Sequence, residues 1–182
     1  MRKSKALWGC VLAAALLLAA CGKPNAGSSG SGSMSGSGAA SQTTAAWKTG
    51  LGVVVETEDE DRTGSIRLAA AAVLLDGDGK IADVELDELE TTIGADGTGA
   101  VHLPTDYRTK RQKGADYPLA EASSLKKGWA EQADAFADYL TGRTPEQVSL
   151  LKLDNDGKPT DADLLAGCTI AVDRYRDAVV KA

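Results

Sequence analysis

The sequence predicts an α+β domain in which two or three helices pack on an antiparallel, twisted sheet of short strands. Two observations predict the sheet. An Asp/Gly-rich turn at residues 76–80 joins two apolar runs, and polar and apolar residues alternate from Asp83 to Asp87. A third observation predicts helices, because apolar residues recur at helical spacing from Trp129 to Leu140. These elements lie within residues 45–182, a normal size for a single domain.

The first predicted strand contains Val53, Val54 and Val55, a short β-branched run. The acidic residues that follow, from Glu56 to Arg62, are predicted to form an exposed loop.

The next two strands are predicted to form a hairpin around the turn at residues 76–80. Residues 65–75 precede the turn. The helical propensity of Ala69 to Ala72 offers an alternative, but the turn and the following strand favour β structure. In the second strand of the hairpin, Glu88 is placed among the polar residues that face water. A further hairpin is predicted around residues 94–99.

The second half of the chain predicts helices. The helix with the apolar stripe is expected to begin at Ser124 and to end near Gly142, a typical C-cap residue. Thr144, Pro145 and Gln147 then form the signature of a capping box that starts another helix. A last helix is expected to begin near Thr169.

A basic cluster at Arg108, Lys110, Arg111 and Lys113 has two interpretations. Such clusters bind phosphate or carboxylate groups. They also occur as solvated surface that offsets acidic neighbours, and this second interpretation is favoured.

Four carboxylates fall within ten residues and suggest calcium: Asp154, Asp156, Asp161 and Asp163. An EF-hand loop requires Gly at position 6 and Glu at position 12. Counted from Asp154, Gly157 is at position 4 and Leu165 is at position 12. The pattern therefore favours a plain Asp/Gly turn, with a calcium-stabilised surface domain as the weaker alternative.

The N-terminus predicts export and lipid attachment. Residues 1–20 combine a basic start, a short apolar run and small residues, which is typical of a secretory signal peptide. Cys21 follows Leu18-Ala19-Ala20, an arrangement that resembles a bacterial lipobox. The resemblance implies cleavage before Cys21 and diacylation of its thiol, and two acyl chains anchor a protein stably. An ordinary signal peptide followed by an incidental cysteine is the alternative.

Residues 21–44 are predicted to be a flexible linker behind this anchor. Residues 22–44 contain six Gly and seven Ser but no aromatic residue and no Val, Ile or Leu. Such a coil has an r.m.s. reach of about 25 Å. Loss of the signal peptide, which holds three basic and no acidic residues, shifts the net charge from -6 to -9. An acidic protein of this kind is not expected to bind nucleic acid or to dock on anionic lipid by charge.

Catalytic groups are scarce in the sequence. His102 is the only histidine, which excludes a histidine-rich zinc site. Cys168 is the one cysteine left after signal removal and acylation, so an intrachain disulfide is excluded and a buried thiol is expected. The sequence therefore shows no catalytic constellation and does not predict an enzyme.

Residues 163–169, Asp-Leu-Leu-Ala-Gly-Cys-Thr, resemble a degenerate form of the Asp-x-x-Ser/Thr-Gly-Ala-Thr signature of FMN-binding domains. Asp163, Gly167 and Thr169 keep their places, whereas Ala166 replaces the hydroxyl residue and Cys168 replaces the alanine. The turn and strand at residues 78–86 also resemble that family. More broadly, residues 47–182 are similar to small Gram-positive lipoproteins that are loosely related to these domains.

The resemblance implies an FMN-binding-like fold on the extracytoplasmic face of the cell membrane, with FMN as cofactor. It implies that Thr169, Gly167 and Asp163 bind the cofactor and that Thr169 lies at the flavin phosphate. It also implies electron transfer with a flavin or redox partner protein. From the residues alone, the alternative is that Thr169 is simply the N-cap of the last helix. A flavin-free lipoprotein that binds a solute or a protein partner is the alternative function.

Overall fold

A computed structural model describes residues 46–182, which form a four-stranded antiparallel sheet with helices packed on one face. The α+β class and the antiparallel sheet are confirmed. Neighbouring strands in the sheet are neighbours in the sequence, in the order β1-β2-β3-β4. The strands are β1 at Lys48–Glu60, β2 at Thr63–Leu75, β3 at Ile81–Ala95 and β4 at Val101–His102. The predicted signal peptide, Cys21 and the linker lie outside the described residues.

Six α-helices follow the sheet, where two or three were predicted. Only α3 and α6 are longer than five residues, and these two pack on the sheet. The helices are α1 at Lys110–Lys113, α2 at Leu119–Ala122, α3 at Trp129–Leu140, α4 at Pro145–Ser149, α5 at Ala162–Leu165 and α6 at Asp173–Lys181. None of the helices within residues 46–182 has the length and apolar character needed to span a membrane.

The prediction of short strands is wrong, because β1, β2 and β3 have 13 to 15 residues. The acidic stretch expected to be a loop continues β1 as far as Glu60, and a two-residue turn leads into β2. Cross-strand pairing explains the difference. The Glu58 carboxylate lies 2.9 Å from the Arg67 guanidinium of β2. An opposite charge on the neighbouring strand offsets the unfavourable effect of a carboxylate on strand stability.

Three turns in the domain share one hydrogen-bond pattern, and they begin at Asp76, Asp96 and Asp154. In each, the aspartate Oδ1 accepts hydrogen bonds from the backbone N–H groups two and four residues later. The fourth residue is a glycine with positive φ. The first two turns confirm the two predicted hairpins, between β2 and β3 and between β3 and β4.

Of the three predicted helix starts, one is confirmed and two are wrong. The capping box is confirmed, because the Thr144 hydroxyl accepts from the Gln147 N–H and the Gln147 side chain accepts from the Thr144 N–H. The prediction that Ser124 opens the long helix is wrong: α3 begins at Trp129 after the N-cap residue Gly128. The last helix begins at Asp173 rather than near Thr169, because the Val172 N–H is bonded to the Gly157 carbonyl.

The core lies between the sheet and helices α3 and α6. Ala69, Ala71 and Val73 of β2 present small side chains to the helices, and Phe136 and Tyr175 fill the space above them. Small residues on the sheet permit the helices to approach closely. Gly50 and Gly52 of β1 do the same for the contact with the C-terminal end of α6.

Candidate functional site

Glu88 lies on the buried face of β3, contrary to the prediction that it faces water. Val84 and Leu86 precede it on the same face, and its side chain is 0% exposed. A buried carboxylate is costly unless it is paired and hydrogen-bonded. Here the Tyr175 hydroxyl donates a hydrogen bond to Glu88 Oε2, so the carboxylate is bound to α6.

Lys110 supplies the main opposite charge for Glu88. The Lys110 ammonium lies 2.9 Å from Glu88 Oε1 and 3.1 Å from Glu90 Oε2. The approach to Oε1 is not aligned as a hydrogen bond, so the attraction there is electrostatic. Burial lowers the Lys110 pKa, but the Glu88 carboxylate outweighs that effect and raises it above the ordinary value. The pairing therefore stabilises the fold throughout neutral pH and is lost only as the pH rises through the raised pKa.

Arg174 is the fourth member of this cluster, which comprises Glu88, Lys110, Arg174 and Tyr175, and Trp129 packs against it. The Arg174 guanidinium lies 3.8 Å from Glu88 Oε1 and 3.2 Å from Glu56 Oε2 of β1. Trp129 Nε1 donates to the Tyr175 hydroxyl at 3.1 Å, and the two rings pack edge to face. The cluster thus ties β1, β3, α1, α3 and α6 together.

A cavity of about 560 Å³ adjoins the cluster. Three cationic side chains line it, from α1, the 154–158 turn and α6: Lys110, Lys158 and Arg174. None of the described residues that line it is acidic. Each cation pairs with a carboxylate that is not a lining residue: Lys110 with Glu88, Arg174 with Glu56 and Lys158 with Asp156. The described lining residues themselves therefore present cations and no anions.

The remaining wall supplies hydroxyl and aromatic groups. The hydroxyl residues are Ser123, Ser124 and Thr169, and the aromatic residues are Tyr117, Trp129 and Tyr175. Arg174 Nε is buried and has no hydrogen-bond partner within the described residues. Because buried polar groups are nearly always paired, this donor is suited to an acceptor on a bound ligand or water. The cavity therefore combines donors and cations with flat apolar surface, as an anionic aromatic ligand requires.

Of the three residues predicted to bind the cofactor, only Thr169 lines the cavity. Its backbone N–H and its hydroxyl both donate to Oε1 of Gln132, at 2.9 and 3.1 Å. Gln132 is 0% exposed, and its amide N–H groups bind Ser123 and Lys127. The proposed N-cap role of Thr169 is wrong, because α6 begins four residues later. Thr169 is instead fixed at the cavity wall with a hydroxyl oxygen that can still accept a hydrogen bond.

Gly167 and Asp163 are not among the cavity-lining residues. A Cβ at Gly167 would lie 2.8 Å from the Cβ of Ala135, so glycine is needed there for close packing against α3. Asp163 is exposed in the first turn of α5. The capping residue of α5 is Asp161, whose Oδ1 accepts from the N–H groups of Asp163 and Leu164. In the signature-like segment, only Thr169 thus has a position suited to a ligand.

The other candidates also have local explanations. Cys168 is 0% exposed as expected, and burial raises the pKa of its thiol to about 11. The Asp154 carboxylate accepts hydrogen bonds from two backbone N–H groups of its own turn. This structural role explains an aspartate at that position and requires no bound ion. Within residues 46–182, no group of three or more His, Cys, Asp or Glu residues is placed to hold a metal ion.

The basic cluster divides into a buried part and a surface part. Lys110 enters the core, whereas Arg108 pairs with Asp106 and Asp116 and Arg111 pairs with Asp134 at the surface. Those two arginines agree with the favoured solvated interpretation, and Lys110 does not. Sequence reasoning missed Lys158 and Arg174 at the cavity and Glu88 beneath it. Strict period two from Val84 would have placed Glu88 inside.

No protein-family model, curated protein or solved structure matches this chain in sequence or structure comparisons.

Proposed function

We propose that this chain is a lipid-anchored protein of the cell envelope whose extracytoplasmic domain binds an anionic ligand, with FMN as the leading candidate. The observation that carries the proposal is the cavity at Thr169, which three cations line without a carboxylate. The anchor follows from Cys21 in its lipobox-like setting, and the acidic charge of the protein supports acyl chains rather than surface charge as the membrane attachment.

The cavity residues fit the two halves of FMN. Lys158 and Arg174 supply cationic donors for a phosphate, and the Thr169 hydroxyl adds a polar contact. Half-buried Tyr117 supplies aromatic surface for a planar ring system, with the buried Trp129 in the wall behind. Bound FMN would supply one- and two-electron redox chemistry. The chain's own residues would then bind the cofactor and shield it, while a redox partner protein exchanges electrons with it.

A flavin-free binding module is the second candidate function. It is favoured by one observation: Gly167 and Asp163 have structural explanations that involve no ligand. In this case the same cavity holds a different small anion, and Lys158 and Arg174 keep the same role. Comparison of FMN with riboflavin and inorganic phosphate separates the two candidates.

Replacement of Lys158 by Gln is expected to weaken FMN binding about tenfold, because it removes one charge-assisted contact to the phosphate. Riboflavin, which lacks the phosphate, should bind the wild-type chain more weakly than FMN by a similar factor. Quenching of flavin fluorescence during titration of the purified full-length chain measures both affinities.

Lys80→Gln is the matched control for this prediction. Lys80 occupies the same position in the Asp76 turn that Lys158 occupies in the Asp154 turn, and its N–H makes the same bond. It lies outside the cavity lining, so FMN affinity should be unchanged. An absence of FMN binding, together with no flavin absorbance in protein from cells that express a flavin transferase, would exclude FMN. Displacement of a bound anion by phosphate would then favour the second candidate.

Replacement of Cys21 by Ala is expected to release the protein from membranes, because the acylated thiol would be lost. Fractionation of cells that express each variant, followed by immunoblotting, measures this. Cys168→Ala is the control variant and should stay with the membrane fraction. Persistent membrane association of the Cys21 variant would refute the lipid anchor without bearing on the cavity.

A further inference from the structure

The face of the sheet opposite the helices is open among the described residues. Helices α3 and α6 both pack on the face that carries Ala69, Ala71 and Leu86. The other face of β1 carries the exposed apolar side chains of Leu51, Val53 and Val55. Exposed Trp47 precedes the strand, and the polar Thr49 lies between Trp47 and Leu51. Leu51 is 71% exposed and Val53 is 40% exposed. A sheet normally buries such a face against another element.

The strand register shows that this row belongs to an apolar strip two strands wide. Leu51 is opposite Ala72, Val53 is opposite Ala70, and Val55 is opposite Leu68. We call these six residues, together with Trp47, the outer strip. From Trp47 to Val55 the strip is about 27 Å long, at about 3.4 Å per residue. An exposed apolar strip of this kind, interrupted at Thr49, indicates an interaction surface.

Carboxylates border the outer strip on its β3 side. Glu85 is opposite Ala72 and Asp87 is opposite Ala70, so both lie on the same face as the strip, and Asp83 precedes them. The Glu85 side chain is 72% exposed, and its nearest cation, in Arg111, is 4.0 Å away. Successive carboxylates in this row are about 6.8 Å apart. Asp87 Oδ1 also accepts hydrogen bonds from the N–H groups of Glu88 and Arg111, and the Arg111 side chain lies at the same surface. Three carboxylates against one cation leave the surface apolar along its centre and net negative along its β3 side.

From these observations, we propose that the outer strip docks a cationic amphipathic helix of a partner protein. An α-helix with its side chains is about 10–12 Å across and covers a strip of two strands, which are about 4.8 Å apart. Basic side chains four residues apart on such a helix are separated by about 6 Å, close to the spacing of the β3 carboxylates. The helix would lay its apolar face on the strip and direct its basic side toward Glu85 and Asp87.

The charges disfavour two other occupants. An anionic membrane surface would be repelled by the β3 carboxylates. A second copy of the chain would bring its own acidic row to the same surface, and like charges in opposition are unfavourable. Pairing of two β1 edges is also opposed, because Lys181 reaches across to the Val53 carbonyl, at 3.4 Å.

The test uses the purified full-length chain and a fluorescent probe peptide of leucine and lysine. A peptide of about 18 residues with helical periodicity is about 27 Å long, which matches the strip. Fluorescence anisotropy should show that Leu51→Lys weakens peptide binding at least tenfold. Leu150→Lys is the matched control: Leu150 is 78% exposed outside the sheet, and the variant gains the same charge. It should change the affinity less than twofold.

A scrambled peptide of the same composition should bind the wild-type chain at least tenfold more weakly than the amphipathic peptide. Equal binding of the two peptides, or an equal effect of the two lysine variants, would overturn the proposal. So would a wild-type dimer in sedimentation that Leu51→Lys dissociates, because a second copy would then cover the strip. Leu51-dependent binding to anionic phospholipid vesicles would overturn it in favour of a membrane surface.

Discussion

Replacement of Glu88 by Gln is expected to lower the free energy of unfolding by about 3 kcal/mol, because it leaves the buried Lys110 charge without its main partner. Glu88 is also the acceptor for the Tyr175 hydroxyl and lies 3.8 Å from the Arg174 guanidinium. An amide cannot replace the negative charge for either cation. Urea unfolding monitored by circular dichroism measures the loss. An unchanged slope of the unfolding free energy against urea concentration checks that unfolding remains two-state.

Glu85→Gln is the control on the same strand. Its side chain faces solvent on the other side of the sheet, so the change should be within about 0.5 kcal/mol. The double variant Glu88→Leu with Lys110→Met removes both charges at once. It should recover part of the lost stability, because apolar residues of similar volume often replace a buried ion pair without cost. The Tyr175 hydroxyl and Arg174 still lose their contact with Glu88 in this variant, which limits the recovery. A loss below about 1 kcal/mol in Glu88→Gln would show that the buried cluster is not held by this carboxylate.

Replacement of Gly52 by Ala is expected to be comparably damaging, at about 3 kcal/mol, because β1 and α6 leave no room for a methyl group. A Cβ at Gly52 would lie 1.8 Å from the Ala178 carbonyl oxygen, and a Cβ at Gly50 would lie equally close to the Ala182 carbonyl oxygen. Backbone atoms cannot rotate aside as a flexible side chain does. Helix α6 would have to move away from the sheet, and overpacking of this kind usually costs 1–3 kcal/mol or occasionally more.

Gly64→Ala is the control for this prediction. Gly64 is the second residue of β2 and has no positive φ, and nothing lies within 4 Å of the position its Cβ would take. Alanine there should leave the stability unchanged or raise it slightly, by restricting the unfolded chain. Thermal unfolding of the two variants under the same conditions makes the comparison. Similar melting temperatures would mean that α6 is free to shift along β1.

The features predicted correctly from the sequence are those that local residues determine. The Asp76 turn depends on the hydrogen bonds of one aspartate and on one glycine, all within five residues. The Thr144 capping box likewise needs only residues 144–147. Strand length was not predicted, because β1 continues through acidic residues whose partners, such as Arg67 and Arg174, belong to other elements.

The candidate site could be predicted only in part for the same reason. Lys110, Lys158 and Arg174 come together from three distant parts of the chain, and their spacing in the sequence carries no sign of this. Glu88 was assigned to the surface because acidic residues usually lie there. The compensating Lys110 is 22 positions away and is brought near by the tertiary fold. Thr169 was identified by its motif, but its anchoring by Gln132 depends on α3.

The contact between β1 and α6 has a consequence for the order in which the domain folds. β1 is the first strand of the domain and α6 is its last helix, so a chain that emerges N-terminus first makes the three-stranded meander early and this contact last. Until α6 packs on the sheet, the inner face of β1 and β2 is exposed to solvent, and a sheet without a packed layer is only marginally stable. The nine-residue helix α6 therefore acts as the closing step of folding, and a delay there would prolong the exposure of this apolar face to proteases and chaperones.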